Sequence, residues 1–261
     1  MLEGISAFIV IIVVAVAGVR LNALTITGAF TAMFVGMSVY IGFGVNGLAL
    51  LGAFFATSSF WSKYKSAAKT KMEEKLAKGG TRDWLQVLAN GGAASLFSLL
   101  YSLQPELIWM LGFIVCIASA NSDTWASEIG SLSRENPIYI RTFKRVERGT
   151  SGAISGLGSV AGASGSFFIS ILSYWFFHLD LYLVVIIFLF GFIGNVIDTL
   201  FGAFYQQVYI CEQCGITTEK KSHCQFPTIR IKGFTLVDND MVNFLSGLIA
   251  AILSIVIFRL F

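Results

Sequence analysis

Charged residues are scarce in this sequence of 261 residues. Asp, Glu, Lys and Arg together make up only 13% of it, whereas 56% is hydrophobic and the mean hydropathy is +0.76. Soluble globular proteins carry about 25% charged residues, so this composition excludes the soluble class. It indicates a protein that crosses a membrane several times.

Proline is scarce too, and Pro105, Pro137 and Pro227 all lie outside the apolar runs. No predicted span is therefore interrupted by a residue that breaks helices. The N-terminus lacks the positively charged segment of a signal peptide, so we expect the first apolar run to remain as a membrane span. Glycine, with 26 residues, is abundant, as is typical of closely packed membrane helices.

Eight apolar runs are long enough to cross a bilayer core of about 30 Å, which requires about 20 residues per helix. They are 4–19, 22–42, 45–61, 84–103, 106–128, 151–177, 181–205 and 238–258. Only residues 42–47 separate the second run from the third, and their glycines and Asn46 favour a turn. The predicted fold class is all-α, a single polytopic bundle of about eight membrane helices over residues 1–261.

Lysine and arginine are missing from every second loop of this arrangement. Seventeen of the eighteen basic residues are Arg20 or lie in the loops 62–83, 129–150 and 206–237, which leaves only Arg259. Short cytoplasmic loops retain basic residues, so these three loops are predicted to be cytoplasmic and both termini to lie outside. We expect a multi-pass protein of the cell membrane whose active face is cytoplasmic.

The 62–83 loop has the composition of a basic helix. Its lysines suit retention on the cytoplasmic side and contact with anionic lipid headgroups, an interpretation that we favour over substrate binding. These lysines are Lys63, Lys65, Lys69, Lys71, Lys75 and Lys78.

Three aspartates lie at the predicted cytoplasmic ends of spans. Asp123 is near the end of the fifth span, Asp198 is near the end of the seventh, and Asp240 begins the eighth. A charge inside a span costs about 2.5–3.5 kcal/mol on insertion scales and usually marks a functional site. Oxygen ligands of this kind suit Mg²⁺, which proteins often hold with one or two carboxylates and the phosphates of a substrate. We predict that these aspartates hold Mg²⁺ in a catalytic site, with Glu128 as a further catalytic residue.

Some of these acidic residues also have a structural interpretation. Asp238 is better explained as a helix N-cap than as a ligand, and Asp240 is favourable near a positive helix end without any metal. Glu128 is close to the headgroup region. Helical spacing places Asp123 about 140° from the face that carries Glu128, so either the helix ends before Glu128 or the two carboxylates serve different neighbours.

The start of the sixth span combines glycine with basic residues. A helix N-terminus presents free N–H groups, glycine permits a close approach, and arginine binds phosphate through two hydrogen bonds. Packing between helices is an equally good explanation of this first turn, and a better one for the later glycines. No P-loop motif is present. The nucleotide- and phosphate-binding candidates here are Arg145, Arg148, Gly149, Thr150, Ser151 and Gly152, and those beside the carboxylates are Asn121, Thr124, Asn195, Thr199, Asn239 and Asn243.

The 206–237 loop contains three cysteines and one histidine. Cys211, Cys214, His223 and Cys224 form a candidate Cys3His zinc site, whose adjacent last two residues are an unusual spacing. Free thiols and redox chemistry are the alternatives, whereas a disulfide does not suit a reducing compartment.

Four motifs together resemble one integral-membrane family, the one that contains transmembrane protein 19 and the plant phytyl-phosphate kinase. They are Asn121-x-Asp123-Thr124-x-x-Ser127-Glu128-x-Gly130, Gly149-Thr150-x-Gly152-x-x-Ser155, Asp198-Thr199-x-x-Gly202-Ala203-x-x-Gln206 and Asn239-Asp240-x-Val242-Asn243. The resemblance spans nearly the whole chain and implies an isoprenoid-phosphate kinase. The cysteine-containing loop is similar to one in some microbial members, which favours a structural role for it.

The predicted activity is the Mg²⁺-dependent transfer of a phosphoryl group from CTP or ATP to a polyprenyl or phytyl-type monophosphate. Expected partners are the nucleoside triphosphate, the isoprenoid monophosphate and membrane lipids, with no nucleic acid. Two alternatives stay open. Another lipid-phosphate nucleotidyl- or phosphotransferase would release a nucleoside monophosphate or pyrophosphate, and a transporter or flippase would use the buried acids as an ion pathway.

Overall fold

The computed structural model describes residues 2–64 and 74–260, and these residues form a helical bundle. Six of the seven described helices are long and apolar enough to cross a membrane, and the exception is the helix Trp84–Leu103, the fourth predicted span. The predicted class, an all-α polytopic membrane bundle, is confirmed. The helices are α1 Leu2–Arg20, α2 Ile26–Lys63, α3 Trp84–Leu103, α4 Leu107–Gly130, α5 Gly156–Phe177, α6 Leu181–Phe204 and α7 Asn239–Leu260.

Helix α2 combines the second and third predicted spans. Its 38 residues would extend for about 57 Å if the helix were straight, far more than a bilayer core. The backbone leaves the helical conformation at Gly44, where φ is 58° and ψ is −146°. The turn that we predicted over residues 42–47 is thus confined to one residue, which divides α2 into two segments.

Helix α4 lies at the centre of the bundle, where it packs against α3, α5, α6 and α7. Phe113, Ile114 and Val115 are fully buried in its middle. Polar groups join α4 to α5, because Ser122 donates a hydrogen bond to the carbonyl oxygen of Gly162 (2.8 Å). Glycine at position 162 permits this close approach, since a Cβ there would lie 3.2 Å from Ala126 Cβ and 3.3 Å from the carbonyl oxygen of Ser122 on α4.

Short strands occupy the loops at one end of the bundle, which the sequence analysis did not predict. One sheet has the order β2-β1-β3, a second has the order β5-β4-β8, and β6 and β7 form a hairpin. The strands are β1 Ile138–Tyr139, β2 Lys144–Arg145, β3 Ala153–Ile154, β4 Val208–Ile210, β5 Thr217–Thr218, β6 Ser222–His223, β7 Phe226–Pro227 and β8 Ile229–Lys232.

The predicted start of the sixth span at residue 151 is wrong by five residues. Ala153 and Ile154 pair with β1, so the chain is still extended at that point. Helix α5 begins at Gly156, and the side chain of Ser155 caps it by accepting a hydrogen bond from the backbone nitrogen of Gly158 (3.0 Å). Residues 149–152 therefore form a turn between β2 and β3 and not the first turn of a helix.

The three loops predicted to be cytoplasmic meet at this end of the bundle. The backbone nitrogen of Glu219 donates to the carbonyl oxygen of Lys75 (2.8 Å), and the ammonium group of Lys75 pairs with Glu147. Of the predicted basic helix in the 62–83 loop, residues 65–73 lie outside the described residues, and 74–83 are turn and irregular backbone. Contact among the three loops fits their placement on one side of the membrane.

Candidate active site

A cavity of about 350 Å³ opens where these loops cover the ends of α4, α6 and α7. Asp123, Asp198 and Asp240 all line it, together with Glu128. The carboxylates that the sequence analysis placed on three separate spans therefore share one space. This convergence is what a site for metal-bound phosphates requires.

Helix α4 provides two of the cavity's carboxylates. The helix continues to Gly130, so the alternative in which it ends before Glu128 is wrong. Glu128 accepts a hydrogen bond from the hydroxyl of Ser62 (2.7 Å) and is within electrostatic range of Arg82. Asp123 lies on the side of α4 that is within electrostatic range of Asp198. Both carboxylates reach the cavity, where they are also within electrostatic range of each other.

Asp198 is positioned by α7. The hydroxyl of Ser246 donates to Asp198 Oδ2 (3.3 Å), and the amide nitrogen of Asn243, when turned toward α6, lies 2.9 Å from the same atom. Asp123 and Glu219 are both within electrostatic range of this carboxylate. Asp198 is thus repelled by acidic groups on two other elements, and a bound cation would relieve that repulsion.

Asp240 forms an ion pair with a lysine from the 62–83 loop. Lys78 Nζ lies 2.5 Å from Asp240 Oδ2 and 2.8 Å from Asp83 Oδ2. Burial alone would lower the pKa of Lys78, but its hydrogen bonds to Asp240 and Asp83 outweigh that effect and raise it. Asp238 caps α7 by accepting from the backbone nitrogen of Met241 (3.0 Å), which confirms its predicted role as an N-cap.

Glu219 is a cavity residue that the sequence analysis missed. Its Oε1 accepts hydrogen bonds from Ser151 Oγ and Gln206 Nε2, both at 2.7 Å. Burial raises the pKa of Glu219 against the lowering effect of these hydrogen bonds. A charged side chain in a polar loop has no energetic cost of burial in the membrane, so the sequence gives no sign that Glu219 is functional. Only its contacts in the folded protein identify it.

Negative charge predominates in the cavity. Among the described residues that line it, six are carboxylates, namely Asp123, Glu128, Asp198, Glu219, Asp238 and Asp240, and three are basic, namely Lys78, Arg82 and Arg148. A phosphate would add further negative charge. A divalent cation would offset this charge, and oxygen ligands of this kind suit Mg²⁺.

The glycine-rich turn of residues 149–152 lines the same cavity. It is a loop and not the helix N-terminus that the sequence analysis predicted. Gly149 and Gly152 have φ values of 80° and 81°, which side chains disfavour. A Cβ at Gly152 would lie 2.4 Å from the backbone nitrogen of Ala203, so the turn packs directly on α6. Arg148 lines the cavity beside this turn, as do Thr150 and Ser151.

Two of the predicted binding residues lie elsewhere. Arg145 does not line the cavity, because its guanidinium group donates to Glu135 Oε2 (2.8 Å) and to the carbonyl oxygen of Asn136 (2.9 Å). Asn121 is fully buried and donates to the carbonyl oxygen of Gly165 (2.8 Å), which joins α4 to α5. The structure thus gives Arg145 and Asn121 structural contacts. The other predicted polar residues, Thr124, Asn195, Thr199, Asn239 and Asn243, do line the cavity.

An apolar cleft of about 140 Å³ adjoins the cavity between α1, α2 and α3. Its wall is almost wholly hydrocarbon, with Ile11, Leu24 and Phe54 among the lining residues. Arg82, Gln86 and Asn90 line both the cleft and the acidic cavity. A polar, mainly acidic space and a space lined by hydrocarbon therefore meet at a shared polar boundary.

The cysteine residues and the histidine of the third loop also come together. The ligand atoms of Cys211, Cys214, His223 and Cys224 all lie within 4.8 Å of one another. This cluster is separate from the cavity lining. The structure thus brings the four candidate ligands together.

Comparisons with known proteins identify several relatives. A family model described as integral membrane protein DUF92 matches residues 9–251. Protein PGR of Arabidopsis thaliana is 30% identical over 277 residues, covering 96% of this chain and 94% of the relative. The uncharacterized membrane protein MJ0933 of Methanocaldococcus jannaschii is 39% identical over 168 residues, covering 63% of this chain and 67% of the relative. Protein VTE6, chloroplastic, of Arabidopsis thaliana is 25% identical over 245 residues, covering 90% of this chain but 65% of the relative. No solved structure gives a significant match.

Proposed function

The chain belongs to the DUF92 family of integral membrane proteins, and we propose that it is an isoprenoid-phosphate kinase. In this proposal it transfers the terminal phosphoryl group of CTP or ATP to a polyprenyl or phytyl-type monophosphate at the cytoplasmic face of the cell membrane. The resemblance of its motifs to the family that includes the plant phytyl-phosphate kinase supports this choice of reaction.

The observation that carries the proposal is the junction between the acidic cavity and the apolar cleft. A lipid monophosphate has a charged head and a hydrocarbon tail, and the two spaces match these two parts. Arg82 lies at their boundary, where its guanidinium group could hold the phosphate head. The tail would then extend into the cleft between α1, α2 and α3, next to the surrounding lipid.

The cavity's acidic residues suit the nucleotide side of the reaction. Asp123 and Asp198 would hold Mg²⁺, with Asp240 as a third ligand as predicted from the sequence. When bound, the ion would neutralise the phosphates and bridge them to the protein. Arg148 and the turn formed by Gly149 to Gly152, which line the same cavity, would contact the phosphates.

The transfer itself requires little from the protein beyond position and charge. An oxygen of the acceptor monophosphate forms a bond to the terminal phosphorus, and the bond from that phosphorus to the bridging oxygen breaks. The products are the lipid diphosphate and a nucleoside diphosphate. The acceptor oxygen is already anionic, so no general base is needed.

The test is an assay with purified protein, CTP or ATP labelled in the terminal phosphate, Mg²⁺, and geranylgeranyl or phytyl phosphate. We expect labelled lipid diphosphate, with no product in the presence of EDTA. Asp123→Asn and Asp198→Asn should each lower the rate by about 10²–10³-fold, the usual effect of removing a key electrostatic group.

A matched control is Asp180→Asn, because Asp180 is exposed at the opposite end of α6 and makes no side-chain capping bond. It should retain the wild-type rate. Absence of lipid diphosphate with every nucleotide and acceptor combination would refute the proposal. Release of a nucleoside monophosphate or pyrophosphate would instead identify a nucleotidyl- or phosphotransferase of another type.

A further inference from the structure

We propose that Cys211, Cys214, His223 and Cys224 bind one structural zinc ion that fixes the loop carrying Glu219 against the cavity. The proposal stands on the geometry of the loop and is independent of the reaction assigned to the cavity. Three thiolates and one imidazole are a common ligand set for structural zinc.

The distances within the cluster fit a tetrahedral centre. With Zn–S bonds of about 2.3 Å and Zn–N bonds of about 2.0 Å, sulfur and nitrogen ligands of one ion lie about 3.5 Å apart. His223 Nδ1 lies 3.4 Å from Cys214 Sγ and 3.2 Å from Cys224 Sγ. Cys211 completes the set, since all four ligand atoms lie within 4.8 Å of one another.

Two turns allow these residues to face one point. Gly215, with φ of 72°, follows Cys214, and its backbone nitrogen donates to the carbonyl oxygen of Cys211 (2.8 Å). In the hairpin of β6 and β7, Cys224 and Gln225 have φ values of 50° and 67°. Two successive residues in this conformation reverse the chain sharply. The reversal explains how the adjacent His223 and Cys224 can both be ligands.

The second nitrogen of His223 faces a carboxylate from another loop. His223 Nε2 lies 3.6 Å from Glu74 Oε1, which is within ion-pair range but longer than a hydrogen bond. Ligating histidines usually donate their other ring N–H to a carboxylate or carbonyl group, which fixes the tautomer that leaves the first nitrogen free to bind metal. Glu74 belongs to a different loop, so this pair also joins the zinc loop to the segment before α3.

The cluster lies on the segment that presents Glu219 to the cavity. Cys211 immediately follows β4, and its backbone nitrogen donates to the carbonyl oxygen of Ile216 (3.0 Å). Strand β5 comes next, and Thr218 Oγ1 donates to the carbonyl oxygen of Lys75 (2.8 Å) just before Glu219. A zinc ion would close the chain from residue 211 to residue 224 and so restrict the position of Glu219.

The experiment measures metal in the full-length purified protein by inductively coupled plasma mass spectrometry. We expect about one zinc ion per chain in the wild type, and less than a tenth of that in Cys211→Ser and Cys214→Ser. Cys116→Ser is the matched control, since Cys116 is buried within α4, and it should retain the zinc.

A second measurement does not depend on the folding of any variant. Wild-type protein whose zinc has been exchanged for Co²⁺ should show the absorption bands of tetrahedral cobalt with thiolate ligands. Wild-type protein without zinc, whose cysteines titrate as free thiols or form a disulfide, would overturn the proposal. Retention of zinc by both Cys211→Ser and Cys214→Ser would also overturn it.

Discussion

Lys78 connects two helix N-termini through carboxylates. Its ammonium group contacts Asp83, which caps α3, and Asp240, which lies in the first turn of α7. Our sequence analysis favoured lipid contact for the lysines of this loop, whereas Lys78 faces the cavity. It is therefore available both to link the two helices and to contact a phosphate.

The pair formed by Lys78 and Asp83 predicts how stability depends on pH. Asp83→Asn keeps a good N-cap but removes the charge, so the free energy of unfolding at pH 7 should fall by about 0.5–1 kcal/mol, as for a partly exposed ion pair. Burial would raise the pKa of Asp83, but the hydrogen bond and charge of Lys78, together with the backbone hydrogen bonds at the N-cap, outweigh it and lower the pKa overall. A lowered pKa means that the stabilisation is present above the ordinary aspartate pKa of about 3.9 and is lost as pH falls through the folded value.

Thermal or denaturant unfolding in detergent, measured from pH 7 down to pH 3, checks this expectation. The difference between wild type and Asp83→Asn should be constant above about pH 5 and should shrink below about pH 4. Asp83→Ala serves as the comparison, because it also removes the cap and should cost about 1 kcal/mol more at every pH. A difference that grows as pH falls would contradict the lowered pKa.

The same physical reasoning shows which site residues a sequence can reveal. Asp123 and Asp198 were predictable because a carboxylate within an apolar run is costly and needs a reason. Glu219 and Lys78 were not, because charges in polar loops cost nothing and their partners are distant in sequence. Arg145 was assigned to the cavity from its position in the chain, but its nearby hydrogen bonds to Glu135 and Asn136 hold it outside.

Among the helices, α2 depends on one backbone position. At Gly44 the positive φ with ψ of −146° belongs to a region that is almost restricted to glycine. A Cβ there would meet nothing within 4 Å, so the requirement for glycine comes from the backbone and not from packing. The sequence predicts the position of this break, because glycines and Asn46 interrupt the apolar run. It does not predict that the break is confined to one residue.

Gly44→Ala should therefore destabilise the fold without any steric clash. We expect the free energy of unfolding to fall by about 1–3 kcal/mol, the cost of a strained backbone conformation. Gly52→Ala is the matched control within α2, because a Cβ there also meets nothing within 4 Å and the backbone is helical. Unfolding of both variants in the same detergent provides the measurement. Equal stability of Gly44→Ala and the wild type would show that the chain can pass this point without the glycine conformation.

The long apolar helices were predictable, but the short strands were not. A span is encoded locally by about 20 consecutive apolar residues. A strand of two residues such as Ala153–Ile154 exists only because β1 lies beside it in the folded chain. Because of this pairing, α5 begins at Gly156 and not at the predicted residue 151. The glycine-rich turn therefore belongs to the loop before β3 and not to the helix.

The polar features of the bundle are concentrated at one of its ends. The acidic cavity, the short sheets and the cysteine cluster all involve the loops that carry most of the basic residues. In the middle of the bundle, α4 is buried among apolar side chains. The arrangement suits an enzyme that takes a soluble substrate from one side, and it offers no comparable polar path through the described part of the bundle.

The distribution of basic residues predicts that this polar end faces the cytoplasm. Two exposed positions at opposite ends provide a matched pair: Asp180, at the start of α6, and Glu135, in the loop before β1. In intact cells a membrane-impermeant maleimide should label Asp180→Cys but neither Glu135→Cys nor the wild type. After permeabilisation, Glu135→Cys should gain label above any background from the native cysteines of the wild type. Labelling of Glu135→Cys in intact cells, without labelling of Asp180→Cys, would invert the orientation and place the cavity outside, where nucleoside triphosphates are scarce.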